Sequence, residues 1–270
     1  MSHYAVIGDP IQHSKSPIIH RQFAVQTGQD VLYEAIRVVP SELSNFITSF
    51  FAKGGAGLNV TLPHKEAVFA LIKNHSERAL LARAVNTIFL NSAGELCGDN
   101  TDGPGLIRDL QVNLGYNING TRVLLLGAGG AARGVLGPLL ATKPASVSIA
   151  NRTIAKAEHL AREFAQHGNL VAGDIAAFAA QEFDLILNGT SMGITNEMPV
   201  IEKGMLANNC CCYDMMYKST DTTFVKWAKE QSAAIAVDGL GMLVEQAAES
   251  FNIWRGVRPG TTAVIKQLRH

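Results

Sequence analysis

Short apolar runs alternate with amphipathic stretches along the N-terminal part of the chain. Runs at 4–7, 32–38 and 56–60 predict strands, and helices are predicted to begin at Pro17, Glu42 and Pro63. Such alternation is typical of parallel β-α-β units, because a helix carries the chain back between neighbouring parallel strands.

The alternation is interrupted once and then resumes. Runs at 85–90 and 95–97 flank a turn and predict a hairpin, and a helix is expected from 103 to about 114, ending at Gly115. A second series opens at 122–126, with later strands at 146–150, 183–187, 210–213 and 234–237, and final helices at 242–254 and 259–268. We therefore predict an α/β fold of two domains with a cleft between them, one formed by 1–102 plus 240–270 and one by 103–239.

Composition narrows the class of ligand. The 270 residues are 47% hydrophobic and 17% charged, and 23 basic residues balance 23 acidic ones, so no overall field favours nucleic acid or an anionic membrane. We also recognise neither a secretory signal nor an apolar stretch near the roughly 20 residues that span a bilayer. The expectation is a cytoplasmic protein with a small-molecule ligand, as a monomer or a homodimer.

The four cysteines and two of the histidines are candidate reactive groups. Cys97 and the consecutive Cys210, Cys211 and Cys212 lack C-x-x-C spacing, so they are predicted to be small apolar residues of buried strands, with metal binding or thiol chemistry as the alternatives. His13 and His64 lie beside polar motifs, but their spacing to carboxylates supports no triad. No metal site is expected.

A glycine-rich loop follows the strand 122–126. It fits G-x-G-x-x-[G/A] between a strand and a helix start, the context in which helix amides hold a diphosphate. The alternative is a tight turn without a ligand. The residues concerned are Gly127, Ala128, Gly129, Gly130 and Ala131.

The end of the next strand bears on the choice of dinucleotide. An acidic residue that would accept from ribose hydroxyls is missing there, whereas Arg152 can pair with a 2′-phosphate, and Asn151, Thr153 and Lys156 add donors. This pattern predicts NADP rather than NAD, unless Arg152 and Lys156 only form a solvated helix start. Thr190 and Ser191 lie in a further glycine-containing turn, which is either part of the cofactor site or a plain turn.

Two polar clusters in the first half have the composition of a ligand site. One is Asn59-Val-Thr-Leu-Pro-His-Lys65 and the other Asn100-Thr-Asp102-Gly103. Each residue also has a simpler interpretation: Ser16 and Asp102 could be helix caps, Lys65 an exposed helix residue, and Asn59 a brace for the loop.

Taken together, these motifs resemble a known family. They are Gly8-Asp-Pro10 leading into Ser14-Lys-Ser-Pro17, the segment 59–65, Asn86-Thr87, the segment 100–103, the loop 127–131, Asn151-Arg-Thr153, the turn 188–193, and Asp238-Gly-Leu-Gly-Met-Leu-Val-Glu-Gln246. In this combination the chain is similar to the shikimate dehydrogenases, of the NADP-dependent type that serves aromatic amino-acid biosynthesis.

The resemblance implies the chemistry and the ligands of both domains. It implies reversible reduction of 3-dehydroshikimate to shikimate with NADPH as hydride donor, an open, mostly parallel α/β sheet for the substrate in the first domain, and a Rossmann-like NADP-binding second domain. Lys65 and Asp102 are implied as the catalytic pair. We expect Lys65 to donate to the ketone, because its reduction develops negative charge on oxygen, and Asp102 to orient Lys65 and accept from a substrate hydroxyl.

The resemblance also implies the remaining contacts. Ser14, Ser16 and Tyr217 would hold the substrate carboxylate, Thr61, Asn86 and Gln246 the ring hydroxyls, and Met215, Gly239 and Met242 would lie at the cofactor, Met242 beside the nicotinamide. One departure concerns the segment after Tyr217, where Ser219 stands in place of the family's usual proline, so the rigidity of that loop is in question.

Three rival functions are consistent with the layout. A quinate/shikimate dehydrogenase would often use NAD, which Arg152 disfavours. An NADPH-binding regulatory relative without turnover would be expected to lose Lys65 or Asp102, and a folate-linked dehydrogenase would not need Ser14 or Asn86. Closure of the two domains around the ligands is also expected.

Overall fold

The computed structural model describes residues 1–190, 192 and 197–269. Internal contacts divide the chain into two compact units, Met1–Gly105 with Leu243–His270 and Leu106–Met242. The boundaries fall inside two helices, so the chain passes between the units in helical conformation. Each unit is described by itself.

The first unit contains a six-stranded sheet of order β2-β1-β3-β5-β6-β4. β1 is parallel to β2 and β3, whereas β5 runs antiparallel to β3 and to β6. Its elements are β1 Ser2–Gly8, α1 Ser16–Thr27, β2 Val31–Arg37, a 3-10 turn Pro40–Glu42, α2 Leu43–Ala52, β3 Gly55–Val60, α3 Lys65–Leu71, β4 Asn74–His75, α4 Glu77–Ala82, β5 Thr87–Leu90, β6 Leu96–Asp99 and the start of α5 Asp102–Arg108.

The second unit contains a six-stranded parallel sheet of order β12-β11-β10-β7-β8-β9, the strand order of a dinucleotide-binding fold. After α5 the helix continues as a π turn, Asp109–Asn113. The other elements are β7 Arg122–Leu126, α6 Gly130–Ala141, β8 Ser146–Ala150, α7 Ile154–Glu163, β9 Leu170–Gly173, β10 Phe183–Asn188, β11 Leu206–Asp214, α8 Thr223–Glu230 and β12 Ile235–Asp238, with 3-10 turns at Ala165–His167, Ala176–Phe178 and Lys203–Met205.

Two C-terminal helices complete the chain, α9 Leu240–Arg255 and α10 Thr262–Leu268. From Leu243 onward they belong to the first unit, where α9 and α10 bury apolar side chains against α1. A separate apolar cluster joins the sheet to α2. The buried members of the α1, α9 and α10 cluster are Ile19, Phe23, Val244, Ala247, Ala248, Phe251 and Val264.

Local chemistry explains several element ends. Gly28 closes α1 in the left-handed conformation, with φ of 63°, which glycine adopts at little cost. The side chains of Ser76 and Thr222 accept from the amides of Ala79 and Val225, so they cap α4 and α8.

The predicted α/β fold class is confirmed, and the predicted hairpin is the antiparallel pair β5 and β6. Sequence patterns missed β4, α4 and β9, because two-, six- and four-residue elements are too short to display a period. The helix predicted from 103 is shorter than expected as an α-helix, since its second half has the π form. The final helix begins at Thr262 rather than at 259.

Among the described residues, no helix is long and apolar enough to cross a membrane.

Candidate active site

Polar residues of the first unit gather at one edge of its sheet. Thr61 and Lys65 follow β3, Ser14 and Ser16 follow β1, and Asp102 follows β6. Because β5 runs antiparallel to β3 and β6, Asn86, which directly precedes β5, lies at the edge where those strands end. Reversal of this one strand therefore adds Asn86 to the carboxyl-end cluster.

Lys65 and Asp102 form an ion pair at this edge. The distance from Lys65 Nζ to Asp102 Oδ2 is 2.6 Å, and the two side chains keep 26% and 20% of their surface exposed. The lysine is the first residue of α3 and the aspartate the first of α5. The pair is thus fixed by two helix starts and is open to a ligand on one side.

Asn86 holds the second oxygen of Asp102. Its Nδ2 donates to Asp102 Oδ1 at 2.9 Å and to Thr101 Oγ1 at 2.9 Å, and it lies 3.3 Å from Gln246 Oε1. Its Oδ1 accepts from the Thr101 amide at 2.9 Å. Four residues that are distant in sequence, Lys65, Asn86, Asp102 and Gln246, are therefore brought together.

A layer of buried hydroxyls and amides supports this cluster. Asn59 Nδ2 donates to Ser250 Oγ at 3.0 Å and to Thr87 Oγ1 at 3.2 Å, and Tyr33 OH donates to Asn59 Oδ1 at 2.7 Å. The Thr87 and Ser250 hydroxyls are 2.7 Å apart. Asn59 is therefore a brace within this layer. Thr87 belongs to a motif of the family resemblance that carried no role for it, and Ser250 and Tyr33 are contributors that sequence reasoning missed.

Ser14, Ser16 and Thr61 line the remainder of the edge. Ser14 Oγ accepts from the Ser16 amide at 3.3 Å, and the Ser16 hydroxyl lies beside the Tyr33 phenol. Lys15, rather than Ser16, occupies the cap position of α1. The Thr61 hydroxyl makes no hydrogen bond to the described residues, and its side chain is half-buried, so it can serve a ligand.

The histidines near this edge differ in burial and in their contacts. His64 is buried and its Nε2 lies 2.7 Å from the Val38 carbonyl oxygen, whereas His13 is exposed. His20 is also buried and stacks on Tyr33 with ring centroids 4.0 Å apart.

The glycine loop of the second unit joins β7 to α6. Gly127 has φ of 101°, and a Cβ there would approach the Gly189 carbonyl oxygen to 3.1 Å, so glycine is required. Gly129 precedes the first helical residue, Gly130, and a Cβ on Gly129 would meet nothing within 4 Å. Ala128 and Ala131 flank this open space, which lies at an N-terminus suited to a diphosphate.

Basic and polar residues follow β8 as predicted, with Asn151, Arg152 and Thr153 leading into α7. Within the described part of the chain, Arg152 and Lys156 are exposed and neither makes an ion pair. The Asn151 side chain donates to the Thr153 carbonyl oxygen at 2.8 Å. The segment after β8 therefore presents two exposed cations that make no ion pair with the described residues, an arrangement that fits a 2′-phosphate.

Thr190 and Met215 lie at the ends of the neighbouring strands β10 and β11. Asn188 Oδ1 accepts from Thr190 Oγ1 at 2.8 Å, and Asn188 Nδ2 donates to Asp214 Oδ1 at 3.1 Å. The Met215 amide donates to the Asn188 carbonyl oxygen at 2.9 Å. Ser191, also predicted at the cofactor, lies outside the described residues.

Asp214 is buried at the start of the loop 215–221, in which Ser219 replaces the family's usual proline. Its Oδ2 accepts from Thr222 Oγ1 at 2.6 Å, and its Oδ1 accepts from the Met216 amide at 3.1 Å. Burial raises the pKa of Asp214 above its ordinary value, although these hydrogen bonds oppose the shift. A hydrogen bond across the loop ends thus restrains the segment that carries Tyr217.

Tyr217, Gly239 and Met242 all belong to the second unit. Burial, followed by the charge of Asp238, raises the pKa of Tyr217. A Cβ on Gly239 would come within 2.4 Å of the Met215 carbonyl oxygen, so these segments are in close contact. Tyr217 lies in the second unit, whereas Ser14 and Ser16, the other residues expected at the substrate carboxylate, lie in the first. The role of Tyr217 toward that carboxylate therefore stays a prediction.

The consecutive cysteines lie in β11 and are buried, as predicted, while Cys97 in β6 is half-buried. All four are free thiols, and burial raises the pKa of Cys211 to about 12, which makes its thiolate unfavourable. No group of three or more histidine, cysteine or acidic side chains in the described ranges is arranged to hold a metal ion.

Comparison with known proteins assigns the family. Residues 6–88 match the shikimate dehydrogenase substrate binding domain, 110–216 the shikimate / quinate 5-dehydrogenase model and 239–269 the shikimate 5′-dehydrogenase C-terminal domain. The shikimate dehydrogenase (NADP(+)) of Alkalilimnicola ehrlichii is 54% identical over 98% of both chains.

Solved structures agree. An Ael1 enzyme from Pseudomonas putida is 44% identical with a TM-score of 0.94, covering 100% of this chain and 99% of that one. The shikimate 5-dehydrogenase of Thermus thermophilus, in complex with NADP(H) and shikimate, is 31% identical with a TM-score of 0.87 at the same coverage. The chain therefore belongs to the shikimate dehydrogenase family.

Proposed function

We propose that this chain catalyses the NADP-dependent, reversible interconversion of shikimate and 3-dehydroshikimate, and so acts in aromatic amino-acid biosynthesis. The observation that carries the proposal is the Lys65–Asp102 pair at 2.6 Å, held by Asn86 at the polar edge of a sheet in a chain of this family. A regulatory relative without turnover would have no need to keep this pair.

The residues of the first unit supply binding and proton transfer. Ser14 and Ser16 hold the substrate carboxylate, and Thr61, Asn86 and Gln246 hydrogen-bond the ring hydroxyls. Asp102 accepts from one hydroxyl and keeps Lys65 Nζ beside the reacting oxygen. Each of these contacts satisfies a polar group of the substrate, which would cost roughly 1–3 kcal/mol if buried unpaired.

The reaction balances with one hydride and one proton. NADPH, when bound, supplies the hydride to the ketone carbon at position 3. As negative charge develops on the oxygen, Lys65 donates a proton to it, and the hydroxyl of shikimate results. Lys65 then regains a proton from solvent. In the direction of oxidation, Lys65 takes the proton back.

The second unit supplies the cofactor contacts. Gly127, Gly129 and Gly130 with their neighbours hold the diphosphate at the start of α6, and Arg152 with Lys156 holds the 2′-phosphate. Thr190, Met215, Gly239 and Met242 line the nicotinamide end. On this proposal, 1–102 with 240–270 is the substrate-binding domain and 103–239 the NADP-binding domain.

Initial rates with shikimate or quinate, each paired with NADP or NAD, test the proposal. We expect shikimate with NADP to give the highest kcat/KM. A rate with that pair no greater than a no-enzyme control would overturn the proposal, and a preference for quinate with NAD would replace it with the rival dehydrogenase. The monomer or homodimer state and cytoplasmic location are further parts of the proposal, to be measured by light scattering and cell fractionation.

A further inference from the structure

The first unit contains an ion cluster formed by Arg78, Asp99, Glu245, Glu249 and Arg258. Arg78, in α4, donates from Nε to Asp99 Oδ1 at 3.0 Å and from Nη2 to Asp99 Oδ2 at 2.5 Å. Its third donor, Nη1, reaches Glu249 Oε1 of α9 at 2.9 Å. The Arg78 guanidinium therefore makes two parallel hydrogen bonds to Asp99 at the end of β6 and a third to Glu249 in α9.

Asp99 connects this guanidinium to the catalytic turn. Its Oδ1 accepts from the Asn100 amide at 2.6 Å, and Asn100 Oδ1 accepts from the Asp102 amide at 3.1 Å. The Asp99 carbonyl oxygen also accepts from the amide of Asn86 at 3.0 Å. Asn86, which bonds the Asp102 carboxylate, and Asn100, which bonds the Asp102 amide, are thus both hydrogen-bonded to Asp99.

Arg78 stabilises the charged form of the Asp99 carboxylate. Its side chain is 7% exposed, and burial alone would raise its pKa, but hydrogen bonds from Arg78 and Ser76 hold that pKa below the ordinary value. Without the guanidinium, the carboxylate would be buried without a cation, and its contacts to the turn would reorganise.

Glu249 extends the contacts of Arg78 to a second part of the substrate cluster. It lies one turn after Gln246 on α9, and Gln246 Oε1 is 3.3 Å from Asn86 Nδ2. Arg258 is also in contact with Glu249, and its Nη2 lies 2.9 Å from Glu245 Oε2. Arg258 makes no bond to Asp99, which separates its role from that of Arg78.

We propose that Arg78 is a positioning residue for catalysis: through Asp99 and Asn100 it fixes Asp102, and with it Lys65, at the geometry that proton transfer requires. The inference rests on the proposed function and adds a residue that touches neither substrate nor cofactor. A displacement of about 1 Å at a reacting group can lower a rate by up to about a hundredfold. Loss of the two parallel hydrogen bonds from Arg78 to Asp99 should therefore lower kcat by a measurable factor.

The chain offers a matched control. Arg78→Lys and Arg258→Lys make the same change in the same ion cluster, at side chains of similar exposure, 32% and 26%. A lysine keeps the charge but cannot bond both oxygens of Asp99 and reach Glu249 at once. Both arginines bond Glu249, but only the change at Arg78 alters the route to Asp102 through Asp99 and Asn100.

Each variant is assayed for kcat and KM with shikimate, for NADP affinity and site number by calorimetry, and for Tm. For Arg78→Lys we expect kcat per NADP-binding site to fall about tenfold or more, with the Kd for NADP within about twofold of wild type. Arg258→Lys should keep kcat within about twofold while losing a comparable amount of Tm. Arg78→Met should have a lower kcat than Arg78→Lys. If Arg78→Met does not fold, the comparison of Arg78→Lys with Arg258→Lys decides.

The results separate the two proposals. Wild-type turnover of shikimate, with equal kcat per site in Arg78→Lys and Arg258→Lys, would overturn the inference and leave the proposed function intact. A parallel loss of NADP affinity in Arg78→Lys would also overturn it, because that points to general loosening. No turnover by the wild-type protein would overturn the proposed function, and this inference with it.

Discussion

Lys65 Nζ and Asp102 Oδ2 are 2.6 Å apart, although 37 residues separate them in sequence. The two groups meet because one begins the helix after β3 and the other begins the helix after β6, and both strands end at the same edge of the sheet. Asn86 Nδ2 fixes the other oxygen of Asp102 at 2.9 Å. The carboxylate is therefore oriented from two sides before any ligand binds.

Asp102→Asn should lower kcat strongly while changing the protein little. The amide keeps the size of the side chain but removes its negative charge, so Lys65 loses its ion pair and the substrate hydroxyl loses a charged acceptor. We expect kcat for shikimate oxidation to fall by about a hundredfold or more, within the range for general acid-base groups. Steady-state kinetics measures the fall. A variant within about threefold of wild type would remove Asp102 from the catalytic pair.

Arg152→Gln should affect the 2′-phosphate selectively. Arg152 is exposed and lies after β8, so its removal should raise KM for NADP about tenfold to a hundredfold, corresponding to roughly 1.4–2.8 kcal/mol, and leave KM for NAD nearly constant. Arg162→Gln, at an exposed position in the following helix α7, is the control. Equal effects of Arg152→Gln on the two cofactors would show that the 2′-phosphate is bound elsewhere.

His20 should make folding stability depend on pH. Burial lowers its pKa to about 3, with Asn59 opposing, whereas the unfolded chain titrates near 6.5. Between these values the unfolded state binds a proton that the folded state excludes, so stability falls as pH drops below about 6.5. The loss should reach about 2 kcal/mol between pH 8 and pH 5.

Replacement of the ring isolates this effect. His20 stacks on Tyr33 and packs edge-on to Phe23, so His20→Phe retains an aromatic ring without a titrating group. Urea denaturation of both proteins at pH 8 and pH 5 should give a smaller acid loss for the variant, by about 2 kcal/mol. Identical pH slopes would contradict a neutral, buried His20.

Thr222→Val should loosen the loop 215–221. The valine has the shape of threonine but cannot donate to Asp214 or cap α8, so we expect a loss of about 1–3 kcal/mol in unfolding free energy. KM for NADP should also rise, because Asp214 also holds Asn188 beside Thr190. Thr222→Ser retains the hydroxyl and should resemble wild type. If the serine variant is as unstable as the valine variant, the Asp214 bond is not what restrains the loop.

Sequence reasoning identified the elements whose chemistry is local. The glycine motif 127–131 follows a strand and runs into the start of a helix, and Lys65 follows an apolar strand within a polar motif, so both could be recognised from adjacent residues. The strand β11 is longer than the predicted 210–213, because its first residues are not continuously apolar.

The supporting contacts could not be predicted because they join distant positions. Asn59 and Ser250 are 191 residues apart, and Arg78 and Glu249 are 171 apart, so nothing in either local pattern indicates the partner. Short elements such as β4 and β9 depend on pairing with β6 and β8 rather than on their own periodicity.

The most direct test of the catalytic assignment is kcat for shikimate oxidation with NADP in Lys65→Met, beside the control Lys73→Met. Lys73 lies just beyond α3 and is exposed, so both changes remove one lysine charge from the same region. We predict that Lys65→Met lowers kcat by about a thousandfold while its Kd for NADP stays near wild type, and that Lys73→Met is unaffected. Wild-type kcat in Lys65→Met would contradict the assignment of Lys65 as the proton donor.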